Sequence, residues 1–402
     1  MSGSGGWSEL FGGGRGRILL FCWLGWVFDF HDLILFSFTK RMVAADLGLG
    51  LEEVAWIEGL GLFGSALGGL LFGRLADRWG RRRAMTLSIL VYSAGALLTG
   101  LAQDATTLVI ARMLAGLGVG GEWGIGHAVV AEHWSGRQRD RVHGILQAGG
   151  PLAMALAAVS ALLIAPEVGW RTVFLVSAVP ALLVFFARWA MPGEDRPPVA
   201  RGEQVYPALA LLAPAWRRRT VVLFLILVLH MTGFWCVYAE LPGAIRSRLD
   251  VAAIEVVGFV LAVNCVHVFA DVLFGFLAAR FGRRLVFAVF CGFFAAAQIV
   301  LALLLSQLLD NFLWFTVAAA LMGLGAGTWS CFGALFGELY PAGLRATASS
   351  LLFGLSRGAQ LFSKPGIVLL FSVFDSFAPA LWVGAACAVG SALLLVLLPR
   401  PR

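Results

Sequence analysis

The sequence predicts an all-α membrane protein: twelve transmembrane helices in two pseudo-symmetric six-helix bundles. Three observations lead there. The 402 residues are 60% hydrophobic and only 13% charged, with a mean hydropathy of +0.87, whereas a soluble domain carries roughly a quarter charged residues. The chain divides into apolar runs of bilayer-spanning length, because a hydrocarbon core about 30 Å thick needs about 20 helical residues. Finally, GRLADRWGRR at Gly73–Arg82 returns as GFLAARFGRR at Gly275–Arg284, with seven of ten positions identical.

The runs of the first bundle (residues 17–191) fall at about 17–39, 52–76, 84–102, 106–132, 141–165 and 170–191. Those of the second (residues 217–399) fall at about 217–241, 254–279, 285–307, 311–337, 344–371 and 377–399. Residues 1–16 read as a Gly-rich polar tail without a signal-peptide pattern. The Pro-rich stretch 192–216 reads as the central loop, and 400–402 as a short tail. Loops alternate sides, and the set holding both termini carries about 22 of the 30 basic residues. The positive-inside rule then predicts cytoplasmic termini, and the expected location is a bacterial inner (plasma) membrane. That asymmetry also accounts for the net charge of +7, so no nucleic-acid partner is needed.

Enzymatic chemistry finds no support in the pattern. The six cysteines show no metal-ligand or redox spacing and read as small buried hydrophobes. No Walker A loop or dinucleotide fingerprint is present. No metal or cofactor is expected beyond protons as the coupling ion.

The halves repeat in the same orientation. AEHWSGRQR at Ala131–Arg139 recurs loosely as GELYPAGLR at Gly337–Arg345, keeping Glu132/Glu338 and Arg139/Arg345. Parallel halves of this kind enclose a midplane substrate site between them. The G-x-x-x-D-R-x-G-R-R string, RMLAGLGVGGEWG at Arg112–Gly124, the GWR…VPALL run from Gly169, and GELYPAGLRATASSLLFGLSRG at Gly337–Gly358 resemble the major facilitator superfamily over nearly the whole chain. Within it they look most like the metabolite:proton and sialate:proton symporter branches. The first span, WVFDFHDLILF, departs from those branches in placing His31 between two acids.

The resemblance implies a gating motif of Gly73, Asp77, Arg78, Gly80, Arg81 and Arg82, with Glu132, Arg139, Arg283, Arg284, Glu338 and Arg345 as its partners and repeats. Asp77 would cap span 11 near Leu344, a carboxylate–dipole contact of roughly 0.3–1 kcal/mol. Arg78, Arg81 and Arg82 would pair with Glu132, and Arg283/Arg284 with Glu338.

A charge at mid-span costs roughly 3 kcal/mol on insertion scales and marks a functional candidate. Asp29 and Asp32 share one face of span 1. Asn264, His267 and Asp271 form a stripe on span 8, and Arg357, Gln360 and Lys364 another on span 11. Such stripes need a partner other than lipid. The deep acids lie in the N-terminal half and the deep cations Arg357 and Lys364 in the C-terminal half. Arg357 is therefore the expected anchor for an anion, since a guanidinium grips a carboxylate bidentately and keeps its proton. Lys364, Gln360, His230, His267 and Asn264 are expected around it. Asp29 or Asp32, then Glu122, are expected to carry the coupling proton, because desolvation and a neighbouring acid favour the protonated form. Arg112 is expected to tune them. Glu122 has an alternative structural reading, satisfied by Arg112. His127 reads as a packing histidine, and His133 and His143 as solvated.

Together these predict a proton-coupled symporter for a small organic anion such as a carboxylate, working by alternating access as a monomer in the bilayer. The alternatives are a proton-driven exporter of amphipathic compounds and a transporter of a neutral sugar or polyol.

Overall fold

Lipid offers no hydrogen bonds to a backbone, so each apolar run must close its own as helix. The computed structural model describes residues 10–191, 202, 204–238, 240–242, 245, 251–303, 305 and 311–398. Among them the chain forms twelve helical spans. The first four are α1 (Arg15–Leu47), α2 (Leu51–Trp79), α3 (Arg81–Leu101) and α4 (Ala105–His133). α5 (Gly136–Val168) contains a π turn at Ser160–Ile164. α6 is broken into Trp170–Val176, a 3-10 stretch Val179–Leu183 that holds Pro180, and Val184–Ala190.

In the second half, α7 (Arg217–Gly233) runs into a π turn at Phe234–Tyr238. α8 (Ala253–Phe281) and α9 (Arg283–Leu303) follow. α10 (Phe312–Leu339) contains a 3-10 turn at Gly327–Trp329. α11 comprises Ala342–Gly358 and Gln360–Phe374, and α12 is Ala378–Leu395. Nine of the twelve are long and apolar enough to cross a membrane by length and composition. The other three are α6, α7 and α11.

Two expectations about boundaries change. α1 continues to Leu47, so Lys40 and Arg41 are helical residues rather than loop residues. α5 begins at Gly136, which makes the expected loop 133–141 mostly helix. Of the expected central loop 192–216, residues 192–201 and 203 lie outside the described residues, as do the ends 1–9 and 399–402. The described part docks on the second half, where Tyr206 N donates to Gly343 O at 3.2 Å.

The packing inverts the soluble pattern. Phe269, Leu313 and Phe362 are exposed on the lipid-facing surface, whereas Asp29, Asp32, Asp271 and Arg357 are buried among helices. Of the cysteines, Cys22, Cys291, Cys331 and Cys387 are buried, but Cys265 is exposed, and the Cys236 side chain is outside the description.

The ten-residue repeat has a backbone reason. Gly80 alone joins α2 to α3 at φ 100°, and Gly282 alone joins α8 to α9 at φ 89°. A side chain resists that conformation. The first glycine of each copy serves a different need. A Cβ on Gly73 would stand 2.8 Å from Ala346 O of α11, and one on Gly275 2.6 Å from Asp140 O of α5. Both contacts cross from one half to the other. They lie on the arginine-rich face, the end of the bundle that holds the α2–α3 and α8–α9 joints.

Candidate functional site

On the arginine-rich face, charge completes what the glycines allow. Asp77 reaches α11 at Thr347 rather than at Leu344, accepting from its backbone N–H at 2.8 Å and its hydroxyl at 2.6 Å. Arg81, the central cation, binds Asp77 at 2.6 Å and Glu132 at 2.7 Å, and donates to Ala342 O of the other half at 3.2 Å. The expected Arg81–Glu132 pair is therefore present, while Arg78 is exposed. In the second copy Arg283 pairs with Glu338 and also crosses to Asp140 at 2.6 Å. Arg284 instead donates to Leu398 O at 2.7 Å, tying α9 to the end of α12. Arg345 donates to Gly337 O at 3.1 Å. Arg139 approaches the same glycine.

Farther in, Trp123 of α4 stacks on Phe353 of α11 with centroids 3.8 Å apart, and its Nε1 donates to Gln147 at 2.9 Å. His127 packs beside Trp123 and meets His143 at 2.7 Å between their Nδ1 atoms. His143 is thus fully buried rather than solvated. The early start of α5 carries it inward. His133 is partly buried, with Nδ1 beside Val129 O at 2.9 Å.

At mid-depth the halves surround a small cavity. Its wall is aromatic: Trp26 and Phe30 of α1, Phe234 and Trp235 of the α7 π turn, Trp329 of the α10 turn, and Phe353. Its polar lining includes Arg357, His267 and Gln147.

Arg357 stands in the last turn before α11 breaks at Ala359, where a cation complements the helix dipole. Its guanidinium lies 4.9 Å over the Phe353 ring, near enough for a cation–π contact. It is 1% exposed, and its Nε and Nη1 have no hydrogen-bond partner in the protein. A buried donor left unpaired costs about 1–3 kcal/mol. An entering anionic group would supply the missing acceptor.

Two of the acids belong to α1 and the third to α4. Asp29 is fully buried, and neither carboxylate oxygen has a hydrogen-bond partner. It lies within electrostatic reach of both Arg357 and Asp32. Glu122 of α4, close to Asp29 and packed on Gly25, also lacks partners for both oxygens. Arg112 does not satisfy Glu122. It binds Asp32 at 2.8 Å, and its guanidinium lies 4.7 Å from the Phe36 ring. Tyr92 of α3 lies within electrostatic reach of all three acids.

Several predicted substrate residues are placed elsewhere. His230 meets Thr328 Oγ1 at 2.8 Å inside a cage that includes Phe287, Trp329 and Phe332. It is not part of the cavity wall. Asn264 donates to Val260 O one turn back at 2.8 Å. Gln360 contacts Thr232 at 3.3 Å and Ser356 O at 3.0 Å. His267 does line the cavity, 3.5 Å from Asp271, which accepts from Ser330 at 2.7 Å. The Lys364 side chain lies outside the described residues. The aromatic wall and Gln147 were missed. The signal for Gln147 was an amide within an otherwise apolar run.

Comparison with known proteins agrees with this architecture. The Major Facilitator Superfamily profile matches residues 18–266. A Cupriavidus pinatubonensis protein named "Probable 4-methylmuconolactone transporter" is 31% identical over 95% of this chain and 90% of its own length. The cis,cis-muconate transport protein of Acinetobacter baylyi is 26% identical over 84% of this chain and 83% of its own. Among solved structures, the proton:xylose symporter XylE bound to 6-bromo-6-deoxy-D-glucose superposes with a TM-score of 0.77. It covers 96% of each chain at 17% identity, which speaks to the fold alone. The chain belongs to the Major Facilitator Superfamily: it is a multi-pass membrane transporter of small molecules, not an enzyme.

Proposed function

We propose that the protein takes up a small organic anion, a planar unsaturated or aromatic carboxylate, together with protons by alternating access. It would act as a monomer in a bacterial inner membrane, with the arginine-rich face and both termini in the cytoplasm. The observation that carries this reading is Arg357, a buried, permanently charged fork with unpaired donors, facing a cavity walled by flat rings. The rings favour a flat ligand through stacking. The names of the relatives point the same way, to a lactone and a muconate.

Coupling follows from competition for one guanidinium. Ionised Asp29 offsets the charge of Arg357, and protonated Asp29 leaves that charge for the substrate. Proton and anion then each strengthen binding of the other by the same factor, as linkage requires. The test is uptake of labelled carboxylates by proteoliposomes. Arg357→Ala should abolish it. Arg357→Lys should keep only weak uptake, because an ammonium lacks the fork. Wild-type uptake by Arg357→Ala would overturn the reading.

A further inference from the structure

On the face opposite the arginines, a vestibule opens between the halves. Phe38 and Ala45 of α1 line it, and Ala161 and Leu162 of the α5 π turn form part of its wall. His31 precedes Phe38 and Ala45 by one and two steps of seven residues, so it continues their stripe inward. It is partly buried, and its Nε2 lies 3.2 Å from Ser160 Oγ, the first residue of that π turn. The next residue along α1 is Asp32, whose Oδ1 has no hydrogen-bond partner. His31 thus touches the π turn whose Ala161 and Leu162 line the vestibule, and it directly precedes Asp32 on α1.

We propose that His31 is the proton inlet of the transporter, passing protons from the outer vestibule to Asp32 and Asp29. The proposal rests on the symport reading above and adds a route to it. A proton from vestibule water adds to the free ring nitrogen of neutral His31. The imidazolium then releases the proton on its other nitrogen toward the carboxylate, and the ring is neutral again with its tautomer exchanged. Rotation of the neutral ring restores the starting tautomer and leaves the delivered proton on the carboxylate. Ser160 suits this cycle, because a hydroxyl can donate to or accept from Nε2 and so tolerates both tautomers. A carboxylate partner would fix one. The π turn fits as well, since such turns concentrate at functional sites.

The charged surroundings permit the step. On α1, Asp32 acts on His31 electrostatically. From α4, Arg112 holds Asp32 and Glu122 lies near Asp29, and from α3 Tyr92 lies within electrostatic reach of these acids. α5 has no titratable residue from Leu152 to Pro166. α8, which packs on the same π turn, brings Asn264 and His267 toward the centre. At the vestibule, Lys40 is held by Glu240 at 2.9 Å and lies 3.7 Å from Glu58, with Arg41 beside it.

The test compares net proton-driven uptake with substrate counterflow in proteoliposomes. Counterflow needs binding and reorientation but no net proton movement. In His31→Gln, net uptake should fall about tenfold, less than the hundredfold a positioned acid–base group can contribute, because conformational steps share control of turnover. Counterflow should stay within about twofold of wild type, since binding and reorientation do not need His31. External imidazole should restore net uptake to His31→Ala. Equal loss of both activities would make His31 a structural residue, and unchanged net uptake would exclude the route; either outcome overturns the proposal. Should wild type itself move no protons with substrate, the symport reading fails first, which is a separate result.

Discussion

Adding one methyl group at Gly73 should push the transporter out of the state seen here. The Cβ of Gly73→Ala would meet Ala346 O at 2.8 Å, Ser350 Cβ at 3.0 Å and Thr347 Cα at 3.1 Å. Ordinary contact begins near 3.4 Å, so α2 and α11 must separate by about 0.6 Å, and two of these neighbours are backbone atoms that cannot rotate away. Overpacking of this size costs typically 1–3 kcal/mol. The cost falls only on the state in which α2 and α11 touch, whereas the gain in helix propensity from alanine is common to both states. The equilibrium should therefore move about 5–150-fold toward opening on the arginine-rich face. Gly275→Ala, 2.6 Å from Asp140 O, should act in the same direction. Spin labels on the exposed positions Arg78 and Arg280, in a cysteine-free background, report the separation across that face. Both variants should show longer distances. Gly258→Ala and Gly292→Ala, with nothing within 4 Å, should not. A distribution for Gly73→Ala identical to these controls would refute the reasoning.

Other substitutions separate structural from functional charge. Asp32→Asn strands the buried Arg112 and should lower stability by about 3–5 kcal/mol, with Arg112→Gln added to it recovering most of that in thermal unfolding. Glu122→Gln removes an acid that makes no hydrogen bond, so it should unfold at or above the wild-type temperature while changing the pH dependence of uptake. On the opposite face, Asp104 caps α4 by accepting from Thr107 N–H at 2.8 Å, and this bond holds its carboxyl below the usual carboxylate value. A group shifted down stabilises the fold above its unfolded value. The thermal advantage of wild type over Asp104→Ala should thus be complete above about pH 4 and fade as pH falls through the lowered value.

The helices were legible because lipid forces every apolar run to satisfy its own backbone, and the repeat was legible because its glycines serve backbone geometry in both halves. Arg357, Asp29 and Asp32 stood out because a charge in hydrocarbon is costly. Selection among polar residues was less legible. His230 and Arg357 look equally deep in sequence, yet Thr328 takes the first and the second is left unpaired. Arg112 had two acids within reach of its span, and only the packing of α1 on α4 decides for Asp32. The aromatic wall could not be chosen from 14 Trp and 31 Phe, because lipid-facing and cavity-facing rings share the same chemistry. His143 was misplaced through a boundary, since a helix that starts at Gly136 carries that ring inward to His127.

The most direct measurement is lumenal pH in proteoliposomes holding a trapped dye, while a panel of flat carboxylates is added outside. Empty liposomes correct for acids that cross lipid unaided. Proton-coupled anion uptake predicts protein-dependent acidification with at least one carboxylate, lost in Arg357→Ala. Carboxylate accumulation without any change in lumenal pH, or silence across the panel from folded protein, would contradict it.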